Sequence, residues 1–559
     1  MKKILQSLLI VACVLVFATS CIQEIDPQTS TVTEEQAANA PGAYDNFVNA
    51  ITSTLAGRFT YSGNTTTTPY DYGYSSFYLM RDVMGQDIAL GYSGSWYSAW
   101  YSCSVGLGPQ YAVSQYPWTY YYKWIKDCNT VIGMAGKEPD SDKANGAGIA
   151  YTMRAMFYMD LARMFAQKTY ALDKESVSVP IVTESTSLEE LAYNPRATNE
   201  VMWAFILSDL DKAEQYIADY ERSNVYTPDL SVVYGLKARA YLVMEDWANA
   251  EKYAKLAQSG YSIMSEAAYT SRETGFNTPN SSWMLGLTFK SDDPNILLND
   301  GDSSWGSKMC LEIDPDGSGC GYAANYGQQL LIDRHLYETI PTTDFRKNCF
   351  VDFALDELDT EAEIIEGLKA YSDYPEWVFR SGYDGYYGAV GGLSLKFRVA
   401  GGEAGRKNQY IGFVVAVPMM RVEEMILIEA EAAGMQNEAN GIALLTQFAQ
   451  SRDASYQYGN QRDTYGNQTT SVFQNEVWWQ RRVEFWGEGL ATFDIKRLNK
   501  GIIRSYVNTN HLESNRWNTT TPPDWMNLCI IQTETNYNNS CTNNPIPLRP
   551  TSDSPEYLW

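Results

Sequence analysis

Apolar residues between 145 and 167 fall at Ile149, Met153, Met156, Phe157, Leu161 and Met164. This is the one-face spacing of an amphipathic helix. From 199 to 219 the same spacing runs through Ile206, Leu210, Ala213 and Ile217, with Thr198 standing where an N-cap belongs. Two shorter periodic stretches adjoin, 231–245 and 246–258. The second carries Trp247, Ala250, Ala254 and Ala257, with Asp246 at its N-cap and Gly260 near its end. Further on, Pro418 is expected to open a helix reaching to about Gly434, followed by helices near 438–452 and 471–486. The last contains Val472, Val477, Trp478, Arg481, Arg482 and Phe485. No sustained period-two alternation is visible. The pattern predicts a mainly α scaffold, concentrated in 118–260 and 417–502. Segments 61–117, 261–416 and 503–559 are weakly periodic and rich in Gly, Ser, Asn, Tyr and Pro. They are expected to be long loops and short strands elaborating that scaffold.

In EDWANAEKYAKLA a large aromatic is followed by small residues at helical spacing, which resembles one helix of a tetratricopeptide-type hairpin, where alanine permits close approach. The N-terminus reads differently. Lys2 and Lys3 precede an apolar run from Ile4 to Phe17, broken only by Gln6 and Ser7. Ala18, Thr19 and Ser20 then lead into Cys21. Basic start, apolar run and small-residue cleavage site are the layout of a secretory signal. A cysteine directly after the small residues is the arrangement of a bacterial lipobox, whose thiol receives a diacylglycerol. The run is too short for a transmembrane helix. The expected organisation is a signal peptide over 1–20, a lipidated tether over 21–42 and a folded domain over 43–559. Each acyl methylene buried in the membrane adds about 0.8 kcal/mol of anchoring.

Charge narrows the ligands. The formal net charge is −25, and loss of Lys2 and Lys3 with the signal takes it to −27. Such a surface repels nucleic acid and acidic polymers and suits a neutral or cationic ligand. Cys13 and Cys21 lie in the signal region. Seven cysteines remain, an odd number with no C-x-x-C spacing, which argues against a zinc site and a full disulfide framework. Cys310–Cys320 and Cys529–Cys541 read equally as loop staples or as buried thiols. His335 and His511 are the only histidines, so most His-dependent metal and nucleophile chemistry is removed.

Several segments taken together resemble the SusD/RagB family of surface nutrient-binding lipoproteins. YYKWIKDCNTVI (121–132) is similar to an early family helix, and AYTMRAMFYMDLARMF (150–165) to the helix after it. VPIV (179–182), NPRATNEVMWAFILSDLDKA (194–213) and LKARAYLVMEDWANAEKYA follow in the family's order, then TTDFRKN (342–348) with its Asp-x-Arg. VPMMRVEEMILIEAEA (417–432) and RRVEFWGEGLATFDIKRLNKG (481–501) are the strongest matches. The resemblance implies a helical scaffold with loop-rich elaborations. It implies a lipid-anchored protein facing outward on the outer membrane. It also implies a SusC-like TonB-dependent transporter as partner, an oligosaccharide or other nutrient as ligand, and no catalysis or cofactor.

Aromatics carry the candidate site, with tyrosine alone numbering 41. GYSGSWYSAWYS (91–102) reads as loop, so Trp96, Tyr97, Trp100 and Tyr101 are expected to offer ring faces to sugar C–H groups. Arg81, Asp82 and Asp87 are the expected hydroxyl partners, and Trp283, Trp305, Tyr322 and Tyr326 the middle-loop candidates. Arg481, Arg482, Glu484, Glu488, Asp494 and Arg497 form a dense charged cluster. It reads as an ion-pair network with Arg421, Glu424 and Glu431 rather than as a glycosidase carboxylate pair. DPDGSG (314–319) reads as a glycine-rich turn without a metal. A surface glycan hydrolase and a structural lid or adhesin are the alternatives in other function classes. The anchor is directly testable: Cys21→Ala is expected to release the protein from the membrane fraction, and retention of the variant after a high-salt wash would show that lipid does not hold it.

Overall fold

In the computed structural model the described residues are 40, 42–58, 68–297, 303–316, 320–383, 387–460, 463 and 469–559. The expected signal peptide and Cys21 lie outside them, as does all of the tether except Ala40 and Gly42. The chain falls into two units, 1–46 and 47–559. The second holds the principal helices, beginning with α1 (Ser76–Met84), α2 (Ser98–Tyr101), α3 (Ala112–Ala135), α4 (Ser141–Phe165) and α5 (Leu188–Leu191). Next come α6 (Asn199–Tyr216), α7 (Leu230–Met244), α8 (Trp247–Ala257), α9 (Gly321–Asn325) and α10 (Pro375–Tyr383). The last are α11 (Val422–Gln436), α12 (Glu438–Gln450), α13 (Val472–Glu484), α14 (Ala491–Arg497) and α15 (Gln532–Tyr537).

Capping sets several of these boundaries. Thr198 accepts the backbone N–H of Val201, Asp246 that of Asn249 and Ser471 that of Gln474. Each satisfies a donor that the first helical turn leaves unpaired. Helices α3, α4, α6, α7 and α8 pack in succession, and α8 then packs on α11, which meets α12 and α13. The two sequence-distant helical regions are thus one stack, joined where Ala250, Ala254 and Ala257 of α8 are fully buried. Small residues also set the α11–α12 crossing. A β-carbon on Gly434 would run into the Phe473 ring, and one on Gly441 into Gly434 itself.

The helix expected to open at Pro418 begins four residues later. Ala416–Arg421 is instead strand β4, antiparallel to β2 (Trp283–Thr288), with Gly286 opposite Pro418 and irregular register nearby. Proline is tolerated there because the register is already broken. Both faces of β4 are buried, so its sequence shows no alternation. A second pair joins β1 (Ile88–Leu90) to β3 (Leu330–Ile332), again wholly buried. The region 261–416 has a core of its own around Leu311, Leu331, Val351, Leu368, Val378 and Leu393. All seven described cysteines are buried free thiols, which is the second of the two readings left open for Cys310–Cys320 and Cys529–Cys541.

Charge, not only apolar packing, fills the centre. Glu484 lies between Arg346 (3.2 Å), Arg421 (3.0 Å) and Arg452 (3.0 Å). Glu423 pairs with Arg421 and Arg452, Glu488 with Arg421 and Lys396, and Asp344 with Arg346. Beside this cluster Arg481 and Arg497 share Asp494, Arg497 reaches Glu431, and Arg239 holds Glu424. Arg482 pairs with Asp87 at 2.6 Å and Asp463 at 2.7 Å. All these side chains are buried. The sequence cluster is therefore scaffold.

Burial alone would raise the Glu484 carboxyl, but Arg452, Arg421 and Arg346 outweigh it and hold it well below its ordinary 4.5. As the pH falls below that value, the unfolded chain takes up a proton that the folded chain does not. The stabilisation is present above about 4.5 and is lost progressively in more acidic solution. Glu484→Gln is expected to lower the melting temperature at neutral pH and to flatten the acid limb of a stability–pH profile; an unchanged limb would show that Glu484 is not what titrates. Arg482→Ala leaves Asp87 and Asp463 buried without their cation. Its expected cost is about 3–5 kcal/mol in denaturant melts, and a wild-type melt would contradict the assignment.

Candidate functional site

Strand pairing assembles the site. In the β1–β3 register Leu90 faces Leu330, and the Gly91 N–H donates to the Gln329 carbonyl at 3.1 Å. The chain leaving β1 is thereby laid beside the chain entering β3. The Trp96 N–H donates to Gln328 Oε1 at 3.2 Å. The Trp96 ring meets Tyr322 of α9 edge-on, centroids 6.3 Å apart and planes at 79°. Tyr322 in turn lies 5.2 Å from Tyr326. Trp96 is 39% exposed and Tyr326 41%, while Tyr322 is half-buried. Beneath Tyr322 the buried Lys308 ammonium sits 3.8 Å from the ring centroid, a cation–π contact that fixes the ring from below. Helix α10 packs against α9 and presents an exposed Arg380–Asp316 ion pair at 2.8 Å. Three adjoining rings of differing orientation, a side-chain amide and an exposed ion pair can receive the C–H faces and hydroxyls of a polyhydroxylated ligand.

Only these three of the expected ring platforms reach the surface. Tyr97, Trp100 and Tyr101 are at most 2% exposed, because the segment is not all loop. The single turn of α2 turns them inward. The Tyr97 hydroxyl bonds that of Tyr72 at 2.6 Å, and Trp100 meets Tyr70 edge-on at 5.2 Å. Tyr101 stacks on His511 and bonds its Nδ1 at 2.7 Å, with the Arg504 guanidinium also over its ring. Trp283 and Trp305 are each 1% exposed. The first lies in β2, and the second packs edge-on against Phe397 and Tyr78.

The polar candidates are likewise interior. Arg81 donates to the Gly489 carbonyl at 2.9 Å and pairs with Asp160. Asp82 accepts the backbone N–H groups of Gly489 and Ala491. Burial pushes its carboxyl up to about 7 against those two donors. Asp87 is held by Arg482. The void among Asp82, Asp87, Arg481 and Arg482 measures about 20 Å³, room for one water and not for a sugar. Lys308, Gln328 and Arg380 carry no signal in the sequence, since nothing local distinguishes them from other residues of their type, and Asp316 is visible only as part of the DPDGSG turn. Asp314 and Asp316 of the DPDGSG turn bond within the fold and to Arg380 respectively, and Ser318 lies outside the described residues. Among the described residues no group of three or more His, Cys, Asp or Glu could hold a metal, and no helix is long and apolar enough to cross a membrane.

Two family models match the chain. One, described as starch-binding associating with outer membrane, covers residues 79–242, and the SusD family model covers 384–557. No curated protein matches the sequence significantly. Solved structures share the fold. A SusD-like carbohydrate-binding protein from Bacteroides vulgatus is 21% identical, covering 89% of this chain and 97% of its own with a TM-score of 0.65. A SusD superfamily protein from the same species is 17% identical, covers 92% and 99%, and has a TM-score of 0.68. Surface glycan-binding protein A from Bacteroides thetaiotaomicron, solved with laminarihexaose, is 17% identical, covers 90% and 98%, and has a TM-score of 0.62. With residues 79–242 and 384–557, which hold most of the helical stack, matched to SusD-family models, and the whole fold shared with solved SusD-like proteins, the chain belongs to the SusD/RagB family.

Proposed function

We propose that this protein is a non-catalytic, lipid-anchored binder of neutral oligosaccharides on the outer face of the outer membrane, which passes its ligand to a SusC-like TonB-dependent transporter. The observation that carries the reading is the Trp96–Tyr322–Tyr326 cluster, an exposed set of rings mounted on the β1–β3 pair. Rings held by a rigid scaffold bind with little ordering cost. Family membership and the laminarihexaose bound to a protein of the same fold support a glycan as the ligand class. The signal and lipobox at Cys21 support the anchor, and the family supports the transporter partner. Consumption of the clustered carboxylates in buried ion pairs supports binding without hydrolysis.

Titration calorimetry against a panel of neutral oligosaccharides that includes laminarihexaose tests the reading. Stacking contributes on the order of 1–3 kcal/mol per ring, by analogy with bases on aromatic side chains. Trp96→Ala and Tyr326→Ala, which remove exposed rings, are therefore expected to weaken binding roughly tenfold or more without lowering the melting temperature. Trp100→Ala, which empties a buried site, is expected to lower the melting temperature instead. Binding should change little between low and physiological salt, because no ion pair forms with a neutral sugar. Wild-type affinity in both surface variants would remove this cluster from the site, and reducing-sugar release from the panel would make the protein a hydrolase.

A further inference from the structure

A different surface carries exposed apolar side chains that neither the core nor the aromatic cluster uses. Leu188 is 87% exposed, Tyr193 64% and Tyr537 79%. They line two open clefts of about 440 and 500 Å³ that meet at Asn194. The floor of the first is Trp118 and Tyr122 of α3 with Val182 and Leu191. Hydrogen bonds fix the walls. The Tyr122 hydroxyl donates to the Pro180 carbonyl at 2.6 Å, and Asn194 Nδ2 to that of Ile181 at 2.8 Å. The Asn539 N–H donates to the Ala192 carbonyl at 2.9 Å, and Asn538 Nδ2 to that of Asn194 at 2.6 Å. The local amides and hydroxyl are thus engaged with the walls. The charged groups lining the clefts are Glu189, Glu190 and Glu534. Glu190 accepts the N–H and hydroxyl of Ser187, and Glu534 accepts Asn538 Nδ2 at 2.9 Å, which leaves their negative charge in place. Among the described residues no lysine or arginine lines either cleft.

We propose that this surface docks a segment of a partner protein that carries lysine or arginine beside leucine or aromatic side chains. Preformed apolar clefts with projecting large side chains match the centre of a protein interface. The acidic rim sets the sign of the complement. A second copy of this chain is disfavoured, since each copy carries a net charge of −25. A small ligand is disfavoured because these open clefts would not enclose most of its surface. The proposal is independent of the carbohydrate reading.

The test uses the purified mature lipoprotein in detergent and a fluorescent peptide of about twelve residues, with two leucines and a phenylalanine spaced among lysines and serines, followed by anisotropy. Wild type is expected to bind. Leu188→Ser and Tyr537→Ser should each weaken binding roughly tenfold, Glu534→Gln should weaken it and lessen its salt dependence, and Trp96→Ala should leave it unchanged. Because Leu188 and Tyr537 are on the surface, thermal melts of their variants should match wild type. Peptides with glutamate for lysine, or serine for the apolar residues, should lose at least tenfold. Undiminished binding to the Leu188→Ser/Tyr537→Ser double variant, or equal binding of the serine peptide, would overturn the proposal as general charge attraction. Displacement of the peptide by an oligosaccharide would overturn it in favour of a glycan cleft. Self-association of the wild type that is lost in Tyr537→Ser would overturn it in favour of a second copy.

Discussion

Glu484 has no exposed surface, and the three arginines around it come from the 3-10 turn at 345–349, the end of β4 and the turn just after α12. A carboxylate in that position is tolerable only with cations around it, because an unpaired buried charge costs several kcal/mol. Completing the cluster therefore demands that regions more than a hundred residues apart in sequence reach one place in one register. Lys396 adds a fourth region through Glu488, and Asp344 orients Arg346 with two further bonds. Apolar burial provides most of the driving force for collapse, but it would accept many slightly shifted packings. The charge cluster accepts far fewer.

The exposed rings of the candidate site inherit this rigidity. Asp87 immediately precedes β1 and is held by Arg482 through its side chain. Its carbonyl also accepts the Trp486 indole N–H at 2.8 Å and the Asp333 N–H at 3.0 Å. The β1–β3 pair is thus fastened to the same α13 segment that supplies Glu484. Trp96 and Tyr322 stand at the far end of that connection. The arrangement separates two uses of acidic residues. Many of those inside are spent on buried ion pairs that fix register. Those outside contribute to the net negative charge of −25.

Sequence alone determined the helices whose cause is local. The spacing of Ile149 through Met164, the caps at Thr198, Asp246 and Ser471, and the alanines of α8 each act within a turn or two, where propensity and capping operate. The order of short motifs was equally legible, and it carried the family. Which residues lie at the surface was decided by the tertiary structure. Trp96 and Trp100 are four apart, in the same Gly- and Ser-rich stretch, each followed by tyrosine. One is exposed and the other buried because Tyr70, Tyr72, His511 and Arg504 arrive from elsewhere to cover the second and its neighbours. Pro418 reads as a helix start from its own neighbours, and becomes strand because Gly286, far upstream, lies opposite it. Arg81, Asp82 and Asp87 look like ligand contacts until distant partners claim them. Helix formation is set by adjacent residues, whereas burial is set by whatever the fold brings across from other parts of the chain.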